Sequence, residues 1–317
     1  GLNGTILHFQ GGIWSAVTSP SSNTLLSIWG SGPDDVWAVG GLRTILHYQG
    51  GAWSSVAPPD GSCGFGDVWG SGPTDVWFNS GCGAMHHFDG VAWLEQTYPS
   101  PETLKSLWGS GPGDLWLAGN GGILYHGTGL QWTQVSSPAA GDFHVVWGRS
   151  PSEVWAIAGQ TLLRFTGTAW LSTEVTLEGT FHSVWGSSPD DVWAVGDLGM
   201  LRHFDGTGWT SVSSPAPFVS LSGVSGVDPS DVWAVGNTGL VMHFDGTGWT
   251  AEWLPSAAPA SAVWAAGPRD AWITTQEGTV FHHESGVLAE VPLPAPRNLL
   301  TSVWGSAPDD LWVGGLN

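Results

Sequence analysis

Seven tryptophans, Trp29, Trp69, Trp108, Trp147, Trp185, Trp264 and Trp304, form a column at steps of 38 to 40 residues, with Ser225 filling its single gap. A second column follows eight residues behind each: Trp37, Trp77, Trp116, Trp155, Trp193, Trp233, Trp272 and Trp312. A third runs Trp14, Trp53, Trp93, Trp132, Trp170, Trp209 and Trp249, with Leu288 in the eighth place. These columns take 22 of the 23 tryptophans and leave only Trp253 spare. Residues this periodic are architectural, because each copy is one supersecondary unit that buries its apolar face only against the next copy. A length of 317 would ordinarily suggest two domains, but repeats of about 39 residues sharing one core predict a single domain over 1–317.

The copy from Ser183 to Pro215 shows what one unit is. Ser183–Gly186 reads as a first strand, Val192–Gly196 as a second, Met200–Phe204 as a third and Trp209–Val212 as a fourth. Turns at Pro189–Asp191, Asp197–Gly199 and Asp205–Gly208 join them. With Gly 48 and Pro 21 and no stretch at helical period, the chain is all-β. Four antiparallel strands per repeat predict blades rather than helical pairs, and eight copies predict an eight-bladed β-propeller. Alternation in the second strand puts Trp193 and Val195 on one face and Val192 and Ala194 on the other. The large face of one blade then packs on the smaller face of its neighbour, without any ligand.

The ends of the chain predict closure. The second-column Trp is usually followed ten residues later by a third-strand His, as Trp37 by His47, whereas Trp312 has only five residues after it. Splicing Asn317 to Gly4 brings His8 into that place, so the last blade should take two strands from each terminus, a velcro closure. Gly1-Leu2-Asn3 duplicates Gly315-Leu316-Asn317, which suggests a cut from a longer array.

Charge narrows the function. Twenty-seven acids face seven basic residues, a net charge of -20 that excludes phosphate backbones and anionic membranes as partners. No apolar run approaches 18 residues, so no membrane insertion is expected. Charged residues are only 11%, well under the quarter typical of soluble domains, and the surface is dressed with Ser, Thr, Gly and Asn. Cys63 and Cys82 fall in one repeat, in two loops expected at one end of a blade. A disulfide between them, with the Lys-poor surface, favours an extracellular or cell-surface protein; two buried thiols are the alternative. A closed ring is expected to be monomeric.

Two polar columns accompany the tryptophans. Asp35, Asp75, Asp114, Glu153, Asp191, Asp231, Asp270 and Asp310 stand two residues before the second-column Trp and read as turn carboxylates accepting backbone N–H bonds. His8, His47, His87, His126, His203, His243 and His282, with Arg164 in the eighth place, read as structural histidines bonded within or between blades. No Ser-His-Asp, HExxH, P-loop or dinucleotide pattern appears, so no enzyme and no cofactor are implied.

The run His203-Phe204-Asp205-Gly206-Thr207-Gly208-Trp209, echoed at His243–Trp249 and His87–Trp93, resembles a shortened Asp box of the bacterial neuraminidase repeat propellers. In that family the motif is a fold element in the turn between third and fourth strands, remote from the active site. Here His replaces its Ser and one spacer is missing. The VWAVG runs followed by a Gly turn are similar to tectonin-type lectin propellers, and such Trp-rich repeats resemble predicted secreted proteins of predatory soil bacteria. A sialidase would need three arginines around a substrate carboxylate, and the six arginines here are scattered over both ends of the blades.

Where the fold does not constrain them, repeats are free to differ, and the differences concentrate in the interblade loops and second-to-third turns, which should open at one end, the mouth. Phe65, Tyr98, Phe143, Phe181 and Phe218 lie there, with Asp142, His144 and His182. Rings among polar groups suit carbohydrate. His144 and His182, each three residues before a first-column Trp, form with Asp142 a candidate site for a divalent metal or polar ligand. The expected function is therefore a non-enzymatic binding module for glycans or another extracellular partner. A polysaccharide hydrolase or lyase using Glu102, Asp142 and Glu178, and a purely structural repeat of a larger surface protein, are the alternatives.

Overall fold

The computed structural model describes residues 4–59, 63–80, 84–97, 103–128, 131–139, 141–174, 179–294 and 299–316. Their strands form eight four-stranded antiparallel sheets, the topology of an eight-bladed β-propeller. Blades 1 to 7 each use four consecutive strands and cover residues 25–55, 65–97, 104–134, 143–174, 181–211, 221–253 and 260–291. Blade 8 has the mixed order Ile13–Val17, Ile6–Gln10, Asp310–Leu316, Leu299–Ala307, with His8 opposite Trp312. The chain divides into two compact units. Blades 1 to 4 make up the first, in residues 17–172, and blades 5 to 8 the second, in residues 7–16 and 173–315.

Within a blade, the hairpin between first and second strands places the first two tryptophan columns opposite each other, as Trp185 and Trp193 in blade 5. First strands run longer than the sequence suggests, Phe181–Ser188 rather than Ser183–Gly186, because the chain passes through two register shifts, between Phe181 and Ser183 and between Gly186 and Ser188. Such bulges keep a strand paired while increasing its twist.

Inside each unit the columns knit successive blades. The six-membered ring of a first-column Trp reaches the glycine that follows the equivalent Trp of the next blade. A Cβ at Gly109 would stand 2.6 Å from Trp69 Cη2, and one at Gly148 2.6 Å from Trp108 Cη2. The Trp-Gly dipeptide is thus a steric requirement of the ring above it. Second-column residues such as Trp116, Trp193 and Trp272 are fully buried and receive a Phe and a third-column Trp from the next blade. Trp193 meets Phe244 at 5.0 Å and Trp249 edge-on at 5.1 Å; Trp272 meets Phe9 at 4.6 Å and Trp14 edge-on at 5.9 Å. These tilted and T-shaped contacts are the favoured aromatic geometries, and each adds about 0.5–1.5 kcal/mol to the area it buries.

Candidate functional site

The acid and histidine columns form one system. His47 Nε2 donates to Asp35 Oδ1 at 2.6 Å, and the imidazole stacks on Trp37 at 3.8 Å between ring centres. The same arrangement recurs in six further blades, from His87 with Asp75 at 2.7 Å to His8 with Asp310 at 2.5 Å. In five blades the other carboxylate oxygen takes a serine hydroxyl four residues earlier, among them Ser31 to Asp35, Ser71 to Asp75 and Ser110 to Asp114, each at 2.5 Å. These acids were expected to cap turns through backbone N–H groups. Their oxygens are instead filled mainly by side chains, because starting the second strand turns the carboxylate onto the third. In blade 4 both partners change together: Arg164 lies 5.5 Å from the centre of the Trp155 ring and reaches Glu153 at 3.9 Å. In blade 6 Val227 stands in the serine's place, and the backbone N–H of Arg269 donates to Asp231 instead.

Burial works to raise the Asp35, Asp75 and Asp191 carboxyls, but the bonds from His and Ser outweigh it and hold all three below the usual carboxylate value. A folded pKa below the unfolded one contributes stability above about pH 4 that is lost as pH falls through the folded value. Asp191→Asn is therefore expected to cost about 1–2 kcal/mol at pH 6. Its deficit relative to the parent should shrink below pH 4 in urea titrations; a deficit constant from pH 6 to pH 3 would contradict the assignment.

The Asp-box-like turns are also explained locally. Asp205 Oδ1 accepts Thr207 N at 2.9 Å, Thr207 Oγ1 at 2.7 Å and Gly208 N at 3.1 Å, and Asp245 does the same for its own turn. The Thr hydroxyl and backbone N–H groups lower both carboxyls to about 2. These turns are fold elements, far more suited to holding a hairpin than a ligand.

At the mouth several expectations change. Phe65, Phe143 and Phe181 have no exposed surface. They open the first strand in the column of Leu25, Leu104 and Leu221 and anchor loops to the core, so they cannot stack on a ligand. Asp142 is engaged by the backbone N–H of Gly121 at 2.7 Å. His144 is exposed on the first strand of blade 4, in the first unit, and His182 on that of blade 5, in the second. His182 Nε2 donates to Asp197 Oδ1 at 2.8 Å, and no group of three or more metal-ligating side chains occurs among the described residues. His182 is thus committed to a carboxylate of its own blade. Tyr98, Glu102, Glu178 and Cys82 lie outside the described residues. Cys63 is disulfide-bonded.

Phe218 is different: it is 81% exposed, at φ 71, and its N–H donates to the carbonyl of Leu198, itself 48% exposed at φ 55. Two apolar side chains are thus held outward in the left-handed region, which residues with a Cβ adopt at a cost. Beside them opens a cavity of about 310 Å³ between blades 5 and 6, lined by His182, Asp197, Ser220, Leu221, Ser222 and Asn237. Burial acts to raise the Asp197 carboxyl, but His182 and the Thr180 N–H hold it below its ordinary value. The site thus pairs an apolar shelf with a negatively charged, hydrogen-bonding recess.

No protein-family model matches the chain, and no curated protein matches it in sequence. Solved structures do. YCF48 bound to D1 peptide superposes with a TM-score of 0.65 at 20% identity, over 86% of this chain and 97% of that one. Saccharomyces cerevisiae Sqt1 does so with 0.70 at 10% identity, over 93% and 99%. The computationally designed Ika8 protein gives 0.72 at 14% identity, over 92% and 96%. At these identities the likeness concerns the fold. No helix among the described residues is long and apolar enough to cross a membrane.

Proposed function

We propose that this propeller is a non-enzymatic binding module that takes an extended peptide segment of a partner protein at the mouth of blades 5 and 6. The carrying observation is the strained, outward-held pair Phe218 and Leu198 beside the His182–Asp197 recess. An aromatic next to an aliphatic side chain suits an apolar anchor residue, while Asp197, Asn237 and the serines supply partners for peptide N–H and C=O groups. Burial of Phe65, Phe143 and Phe181 removes most of the aromatic platform on which a glycan reading relied. The peptide bound by YCF48 is consistent with this use of the fold. The disulfide at Cys63 supports an oxidising compartment, hence a secreted or surface-displayed protein.

Display of random peptides against the purified chain, alongside a glycan array, tests the reading. Peptides with an apolar anchor are expected to be retained, and Phe218→Ala to weaken them by about 10- to 30-fold, the loss of an interface anchor, without lowering the melting temperature. Glycan hits without peptide hits, or peptides indifferent to Phe218→Ala, would overturn it.

A further inference from the structure

The crevice between blades 6 and 7 breaks the packing pattern at three positions that meet in space. Blades 2, 4, 6 and 8 present a Phe and a third-column Trp to the preceding second-column Trp; blade 7 presents His283 and Leu288 to Trp233, the imidazole lying 4.5 Å from the indole. On the blade 6 side, Glu252 stands three residues after Trp249, where Val17, Val56, Val135 and Val212 follow their own tryptophans. Polar residues also stand at the Val position in blades 2 and 4, as Gln96 and Thr173, and Gly127 takes the Phe position in blade 3, but only here are all three positions changed around one crevice. The three occur together, and His283 Nε2 bonds Glu252 Oε1 at 3.2 Å.

These changes leave a cavity of about 250 Å³. Ala251 gives it an apolar edge, Glu252 and the nearly buried His283 a polar wall, and Arg269 lines it from the blade 7 turn. Arg269 is held at φ 57, a conformation that costs energy for a residue with a Cβ, and its guanidinium makes no ion pair among the described residues. Glu252 and Arg269 thus border one small cavity with opposite charges that do not pair with each other. His243, also on the wall, is already committed to Asp231.

The geometry points to a second binding site here, for a small zwitterion of free amino-acid size. Its carboxylate would meet the Arg269 guanidinium, whose fork matches a carboxylate. Its ammonium would meet Glu252, and its side chain the Ala251 edge. The volume is below that of ordinary drug-sized pockets and matches a ligand of amino-acid size.

Calorimetric titration of the whole chain with the free proteinogenic amino acids, and with propionate and ethylamine as single-charge controls, tests this. At least one amino acid is expected to bind, with affinity reduced tenfold or more by Arg269→Gln and by Glu252→Gln, and both controls at least tenfold weaker. The double change His283→Phe, Leu288→Trp, which restores the plug used by other blades, should abolish binding while leaving a folded protein. It keeps the test decisive if Arg269→Gln fails to fold. No binding up to about 10 mM, propionate binding as tightly as the amino acid, or binding unaffected by the restored plug would overturn the site.

Discussion

Trp193→Ala is expected to lower the unfolding free energy by about 3–5 kcal/mol, the range for truncating a fully buried large aromatic. The indole is 2% exposed, stacks on His203 and receives Phe244 and Trp249 from blade 6. Removing it leaves a void that two blades border and neither can collapse into, because their backbones are fixed by four-stranded ladders. Trp253→Ala, at a residue 52% exposed and outside the columns, should cost under about 1 kcal/mol. Equal losses at the two sites in urea titration would refute the interblade packing account.

The second large effect concerns the rule that links first-column tryptophans to glycines. Gly109→Ala is expected to cost about 3 kcal/mol, since the new methyl would meet Trp69 at 2.6 Å and the Asp114 carbonyl at 2.9 Å. The molecule already contains the complementary experiment. Where blade 6 has Ser225 in place of Trp, blade 7 has Ala265 in place of Gly, and Ser225 Oγ accepts the Ala265 N–H at 3.2 Å. Ser225→Trp alone should therefore destabilise by about 1–3 kcal/mol, and adding Ala265→Gly should recover most of the loss. A double-mutant cycle with coupling near zero would show that the ring and the methyl do not compete for the same space.

Much of this was legible in the sequence because repetition exposes what the fold demands. Eight four-stranded blades and the sheet shared by both termini follow from the tryptophan steps and from His8 completing the column begun at Trp312. The mouth was less legible. Phe65, Phe143 and Phe181 look like ligand-facing aromatics when read as loop residues, yet they share a column with Leu25, Leu104 and Leu221, and a shared column means core. Phe218 belongs to no column, and its exposure agrees with that. Asp35 and His47 stand 12 residues apart, as do five of their counterpart pairs, a constancy that ties the two polar columns into one hydrogen-bonded set. The cavity at Glu252 and His283 left a weaker trace, since Gln96, Thr173 and Gly127 also depart from the Val and Phe of these positions in other repeats. What spacing alone could not convey is that these two positions touch, since strand register and blade contact decide that.

The shared sheet of blade 8 also bears on how the chain is made. His8 and Asp310 are hydrogen-bonded partners separated by 302 residues. At about 5–20 residues per second, a ribosome needs on the order of 15–60 s to deliver the second after the first. Throughout that interval Ile6–Gln10 and Ile13–Val17, with Leu7, Phe9 and Trp14, lack the Asp310–Leu316 strand on which their sheet is built. Residues 6–17 thus wait longer for their sheet partners than the strands of blades 1 to 7, whose partners lie within their own repeat.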